Sequence, residues 1–228
     1  MSVVLSDPGA LSAHHPVGIS TGYVVDHRGD WPQLVEDAIA VSSFAVELAA
    51  LSEGELPGLL EFLAERPSLP FRYVSVHGPS KDRVMSNADL AALLAELPLL
   101  VDSIVLHSDS IGQPSAFGGL GSRAVIENMD ARKHDGRTVE ELERTYAVLP
   151  EAGFCLDVAH AWSVDPSSVV AHELLDAFAP RLRHVHISSL ATSGAHVPLT
   201  SEDENAFGPV LARCRDVPWI LEAPLRDM

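Results

Sequence analysis

At 228 residues, with 46% hydrophobic and 21% charged, the chain is long enough to bury a sizeable core as one large soluble domain. No apolar run reaches membrane-spanning length, and the opening MSVVLSDPGA has neither the basic region nor the apolar core of a cleavable leader, so a cytoplasmic protein is expected. A net charge of −17 with only two lysines, Lys81 and Lys133, makes it a poor electrostatic partner for nucleic acid, and Cys155 and Cys214 read as reduced packing residues.

Residues 1–16 carry Pro, Gly and Ser without periodicity and read as an arm ahead of a single domain over 17–228. VGIS (17–20) is the first expected strand, followed by a loop with Asp26, His27 and Arg28. A helix follows over 31–41, with Asp30 as N-cap and Pro32 in its first turn. SFAVEL (43–48) is the second strand and puts Ala45 and Glu47 on one face, because successive strand residues point to opposite sides. A second helix fits 56–65 before Pro67 and Pro70 break the chain. FRYVSVH (71–77) is the third strand, with Tyr73, Ser75 and His77 on a common face; Ser86 or Asn87 then caps a helix running to 97. VDSIVLH (101–107) is the fourth strand. Residues 108–122 are rich in Gly and Ser and hold no convincing helix, so the fourth helix is expected to be reduced. AVIE (124–127) is the fifth strand, and the capping-box spacing of Thr138 and Glu141 opens a helix to 149. In GFCLDVAH (153–160) the apolar run 154–158 is the sixth strand, with Cys155 and Asp157 on one side and His160 just past the run. Asp165 is expected to cap a helix over 166–178. LRHVHIS (182–188) is the seventh strand, a helix follows over 201–214, and WILE (219–222) is the eighth strand with no helix after it.

Eight strands alternating with six or so helices imply parallel β/α units, and eight such units close into an α/β protein of (β/α)8 TIM-barrel type. An open doubly wound sheet is the alternative, but no Gly-rich nucleotide turn follows the first strand. The reduced fourth helix and missing eighth leave outward apolar residues such as Trp219 and Leu221 uncovered. Exposed apolar surface of that size finds a partner. The 1–16 arm, or a second subunit in a homodimer, is therefore expected over the seam between strands eight and one.

Active sites of such barrels sit at the C-terminal ends of the strands. There the sequence places Glu47, His77, His107, Glu127, Asp157, His186 and Glu222, with His184 deeper on the face of His186. His160 and His196 lie in the loops just beyond. One polar residue where a strand meets solvent is ordinary; seven of eight strands ending in a ligand-type residue are not. Oxygen and imidazole donors converging from different strands suit a divalent cation (Zn, Mn, Mg or Fe), and the lack of thiolate argues against a structural zinc.

The motifs VHGP (76–79), LH (106–107), IEN (126–128), LDVAH (156–160), HVHIS (184–188), AHVPL (195–199) and LEAPL (221–225) resemble those of the xylose isomerase-like barrel superfamily. That superfamily contains endonuclease IV, sugar isomerases and epimerases. The similarity runs over roughly residues 71–224. It implies a metal cage of Glu127, Asp157, His186 and Glu222. It also implies that His77 and His107, with Glu127, are the ligands of an additional metal in the nuclease branch. His160 and His196 resemble two of three ligands of a third metal, whose remaining ligand is an Asp two residues before the last His. Here that position is Gly194, so one or two ions per chain are expected rather than three.

Two chemistries compete, with a non-catalytic barrel that binds a ligand or partner as a third reading. In an isomerase or epimerase, a cation holding adjacent carbonyl and hydroxyl oxygens would acidify the C–H between them, with Glu127 and Glu222 as paired base and acid. In a phosphodiesterase or abasic-site endonuclease, clustered cations would serve hydrolysis, and His77 and His107 favour this by enlarging the cluster. The acidic charge disfavours DNA, so a small-molecule substrate and isomerase or epimerase chemistry are expected. Glu47, His184, His196, Arg132 and Lys133 are candidates to bind it, the two basic residues by holding a carboxylate or phosphate. His160 is a candidate proton carrier, because an unperturbed imidazole titrates near neutral pH.

Overall fold

Short aliphatic and β-branched runs form eight parallel strands in a computed structural model that describes residues 15–81 and 83–224. They are β1 (Val17–Ser20), β2 (Ala45–Ala49), β3 (Tyr73–His77), β4 (Ser103–His107), β5 (Ala124–Glu127), β6 (Gly153–Asp157), β7 (Leu182–Ile187) and β8 (Trp219–Leu221). Each pairs with the next, and β8 pairs back to β1 through Trp219 with Val17 and Leu221 with Ile19, so the sheet closes. The expected (β/α)8 barrel is the fold. Among the described residues, no helix is long and apolar enough to cross a membrane.

Helices α1 (Trp31–Val41), α2 (Leu56–Ala64), α3 (Asn87–Ala95), α4 (Val139–Val148), α5 (Val158–Val164), α6 (Val169–Phe178) and α7 (Ser201–Leu211) fill the crossovers. Their starts follow local chemistry. Asp30 accepts the Gln33 N–H, Ser86 that of Asp89 and Thr138 that of Glu141, and Thr200 with Asp203 forms a reciprocal capping box. Between β4 and β5 stands a 3₁₀ segment, Pro114–Arg123, interrupted at Gly121 with φ 56°. It is reduced but not empty: Phe117 and Leu120 are buried in the core there, where a regular helix would lie.

The sixth unit differs from expectation. β6 ends at Asp157 rather than 158, and α5 starts at once because Asp157 Oδ1 accepts the His160 N–H at 2.7 Å. His160 is therefore on a helix, not in a loop. Asp165 caps no long helix; it accepts from Ser167 and Val170 across a turn, and α6 begins only after Ser168, at φ 65°. His196 belongs to a two-stranded antiparallel ribbon, Ser189–Leu190 with His196–Val197, inserted after β7.

Trp219 is not left uncovered. His15 stacks on it with ring centroids 3.8 Å apart, and its own indole N–H donates to Cys214 O at 3.0 Å. The rest of the expected arm, residues 1–14, and the chain beyond 224 lie outside the described residues.

The apolar core fills the space between the outer strand faces and the helices. The barrel interior is unlike it, with Glu47, Ser75, Tyr73, Ser103, Cys155 and His184 beneath the strand ends. Gly18 shows how tightly β1 and β2 are joined: a Cβ there would lie 2.5 Å from the Ala45 carbonyl oxygen. Gly18→Ala should therefore destabilise the protein by about 1–3 kcal/mol in urea unfolding. Gly54→Ala, whose added Cβ meets nothing within 4 Å, should be neutral or slightly stabilising.

Candidate metal centre

Neighbouring strands in register bring their last residues side by side: His107 pairs with Glu127 across β4 and β5, and Asp157 with His186 across β6 and β7. Glu222 follows β8 by one residue, its N–H still donating to Ile187 O at 3.0 Å. As a result the ligand atoms of Glu127, Asp157, His186 and Glu222 all lie within 4.8 Å of one another, as do those of His77, His107 and Glu127. A further set is Asp157, His160 and His196. The lack of a carboxylate beside His160 and His196, expected from Gly194, is thus not what the structure shows. α5 starts on Asp157, so one turn carries His160 back over it, and the ribbon brings His196 against both.

His77, His160 and His196 each meet a partner on the far side of the ring, whereas His107 Nδ1 has no hydrogen-bond partner. A carbonyl oxygen can only accept, so His77 Nδ1 donates to Gly78 O at 2.9 Å and His160 Nδ1 to Asn128 O at 2.9 Å. Ser188 Oγ lies 2.7 Å from His196 Nδ1. The free Nε2 atoms then converge: His77 to His107 at 3.1 Å and His160 to His196 at 3.3 Å. Asn128 also straps β5 to β6, accepting from Asp157 N and donating to Asp157 O.

The donors are unsatisfied in the way a cation site requires. Both oxygens of Glu127, Asp157 Oδ2 and His186 Nδ1 are buried without a hydrogen-bond partner. Imidazoles surround Glu127, with His107 and His160 at 3.2 Å, but none meets it at hydrogen-bonding angles. Buried orphan acceptors cost about 1–3 kcal/mol each, more when charged. Carboxylate and imidazole donors in this number fit Zn, Mn, Mg or Fe.

Protons take up part of the charge. Burial would depress His77 and His160, but Glu127 for the first, and Asp157 with Glu127 for the second, raise them to about 9 and about 10. Burial and the nearby Glu127 push Glu222 up to about 8 despite the opposing pull of His186. Glu127 itself stays well below the usual carboxylate range, because attraction to His107 and His186 overcomes its burial. Burial keeps His184 and His196 neutral, at about 3 and about 4.

A cavity of about 380 Å³ opens onto both ends of this cluster, with Glu127 and Glu222 in its wall. Arg132 and Lys133 line it, but neither is idle: Arg132 grips Asp130 at 2.8 Å and the Ser193 carbonyl at 2.6 Å, and Lys133 meets Asp109 at 2.6 Å. Glu47 and His184 lie wholly buried below the cage and do not line the cavity. Direct substrate contact therefore does not fit their position. Tyr23, Lys81, Asn128 and Ser188 belong to the site or its support and were not singled out by sequence. Two of them carried a signal: Asn128 in IEN next to Glu127, and Ser188 at the end of HVHIS.

No family model and no curated protein matches the chain. Solved structures do. One is endonuclease IV from Thermus thermophilus, at 23% identity and a TM-score of 0.55 over 85% of this chain and 87% of that one. D-psicose 3-epimerase in the presence of D-fructose matches at 16% identity and a TM-score of 0.56 over 93% and 86%. D-psicose 3-epimerase with D-tagatose from Clostridium cellulolyticum matches at 15% and 0.53, also over 93% and 86%. What the chain shares with both kinds of enzyme is the fold, a closed (β/α)8 barrel.

In cation-free protein, His77, His160 and Glu222 keep their protons to about pH 9, 10 and 8, above their ordinary 6.5, 6.5 and 4.5. Between pH 6.5 and about 10 the folded state therefore binds more protons than the unfolded state, and stability falls as pH rises. Chelator-treated protein should melt at a lower temperature at pH 9 than at pH 6.5. Saturating divalent cation, which displaces those protons, should shrink the difference. A higher melting temperature at pH 9 without cation would contradict this account of the charges.

Proposed function

We propose that the protein is a divalent-metal-dependent enzyme that hydrolyses small phosphate esters. The observation that carries this is the overlap of the ligand groups: Glu127 belongs both to the His77–His107 set and to the cage, and Asp157 both to the cage and to the His160–His196 set. An isomerase needs only the cage and one proton carrier, which leaves His77, His107 and His196 without a role. Divalent cations at such a cluster supply Lewis acidity and neutralise charge as it develops on the attacking and leaving oxygens. The cage and flanking imidazoles would hold them, two or more per chain. Lys81, Arg132 and Lys133 on the cavity wall suit the peripheral oxygens of a phosphate. The Tyr23 hydroxyl, kept protonated by burial and by Glu222, can donate to a substrate oxygen. The acidic charge and the modest cavity favour a small substrate over nucleic acid.

The second reading, an isomerase or epimerase of a sugar, sugar phosphate or other hydroxy-carbonyl compound, is favoured by Glu127 and Glu222. Both line the cavity with His186 Nδ1 between them at 3.5 and 3.4 Å. One is ionised and the other holds a proton, which is the division that a base and acid on opposite sides of a carbon need. In that chemistry His160 would be the proton carrier.

Protein purified without chelator should be assayed with bis(p-nitrophenyl) phosphate, an abasic-site duplex and a ketohexose panel in deuterated water. Turnover of the phosphodiester is expected. Asp157→Asn and Glu222→Gln should each lower it about 100-fold or more with the fold retained, since several kcal/mol of charge stabilisation go with the cation. The flanking pair decides between readings: His77→Asn and His107→Asn should be as damaging as the cage variants. Solvent deuterium entering a ketose carbon, with no phosphodiester cleavage and no loss in the flanking variants, would replace hydrolysis by the second reading.

A further inference from the structure

Below the cage, the barrel interior holds a carboxylate that none of the steps above uses. Glu47, on β2, is fully buried; its Oε2 lies 3.1 Å from His186 Nε2, 3.1 Å from Ser75 Oγ and 3.7 Å from His184 Nε2. The other nitrogen of His186, Nδ1, faces Glu127 and Glu222 and has no hydrogen-bond partner. A neutral imidazole has one proton to place. Beside an ionised carboxylate that proton belongs on Nε2, which leaves the Nδ1 lone pair aimed into the cage.

The choice of a carboxylate is informative. His77, His160 and His196 are oriented by neutral partners, Gly78 O, Asn128 O and Ser188 Oγ. Burying a charge in a barrel interior costs several kcal/mol, and apolar residues of the same volume would fill the space more stably. The other imidazole beside Glu47 is His184, whose Nε2 lies 3.7 Å from Oε2 and 3.2 Å from His186 Nε2. Tyr73 already serves His184 Nδ1 at 2.7 Å and donates to Ser103 Oγ at 2.8 Å.

We infer that Glu47 is a positioning residue for the cation at the cage: by accepting the Nε2 proton of His186, it sets the tautomer and ring plane of that ligand and strengthens Nδ1 as a donor. Carboxylates placed behind a ligating imidazole act in this way at other metal sites, and their loss weakens binding about 10–100-fold. The inference rests on the metal-dependent reading above for the presence of a cation, but not on which reaction it serves.

The test is cation affinity, measured without turnover. Chelator-stripped wild type, Glu47→Leu and Glu47→Gln would be titrated with Co(II) and Zn(II) against a chromophoric chelator, with melting of each cation-free protein alongside. Glu47→Leu is expected to bind about 10–100-fold more weakly while its cation-free melting temperature is unchanged or raised. Glu47→Gln, whose amide oxygen can still accept from Nε2, should show a smaller loss and a shifted visible cobalt spectrum. A purely structural Glu47 would instead lower the cation-free melting temperature and leave affinity unaltered. If the leucine variant does not fold, the glutamine variant decides: wild-type affinity and an unshifted spectrum overturn the assignment. So would a thiolate-to-cobalt band in wild type that Cys155→Ser removes, because Cys155, His184 and His186 also converge within 4.8 Å and an ion there would take Nε2 from Glu47. No binding by wild type at all would overturn the metal-dependent reading as well, which separates the two failures.

Discussion

The head of this barrel depends on how one buried carboxylate is compensated. Glu127 is ringed by His77, His107, His160 and His186, and neither of its oxygens has a hydrogen bond. A pair of unit charges at 4 Å gains about 4 kcal/mol at an effective dielectric near 20. Each buried ion loses several kcal/mol of hydration. Imidazolium protons can therefore do little better than break even, and they are lost as pH rises. A doubly charged cation has no such limit. Asp157, Glu222 and the flanking imidazoles make sense as one arrangement that such charge holds together, and the closed sheet is what keeps them from spreading apart.

The loops around the cavity are tied to each other more than they are poised for a ligand. Arg132 reaches from the loop after β5 to Asp130 and to the ribbon carbonyls of Ser193 and Gly194. Gly194, at φ 79°, is where the ribbon must turn, and any side chain there would collide with the Arg132 guanidinium. The residue that removes a ligand from one position thus makes room for a strut that holds His196 near His160. An anionic substrate group reaching Arg132 would share it with Asp130, whose carboxyl is held at about 2 by Arg132 against the effect of burial.

Beneath the cluster the interior is polar down to Tyr73, where barrels of this kind are packed with branched aliphatic side chains. Glu47, His184, His186 and Tyr73 form a hydrogen-bonded column joining β2, β3 and β7. Polar interiors that are fully connected rigidify what lies above them, whereas partly connected ones are costly. The column is incomplete at two atoms, Glu47 Oε1 and His186 Nδ1, which have no hydrogen-bond partner.

By itself the sequence determined the barrel and most of the side chains that gather at its head. Alternation within each short strand and Asp, Ser or Thr caps at 30, 86 and 138 are local properties, so the strand ends at His77, His107 and Glu127 could be read without coordinates. Element boundaries near Asp157 could not, because whether an Asp ends a strand or caps a helix depends on what its side chain meets. His160 thus moved from a loop to a helix and gained a carboxylate neighbour. Glu47 looked like its fellow strand-end residues; only the stagger of β2 against β3 and β7 decided that it sits below the cage, facing His186 Nε2. Which nitrogen of each histidine is free, which acids are shared, and that Arg132 fills the space at Gly194 are all relations between distant segments. They follow from closure of the sheet, which fixes the height of each strand end relative to the others, and no local pattern encodes that height.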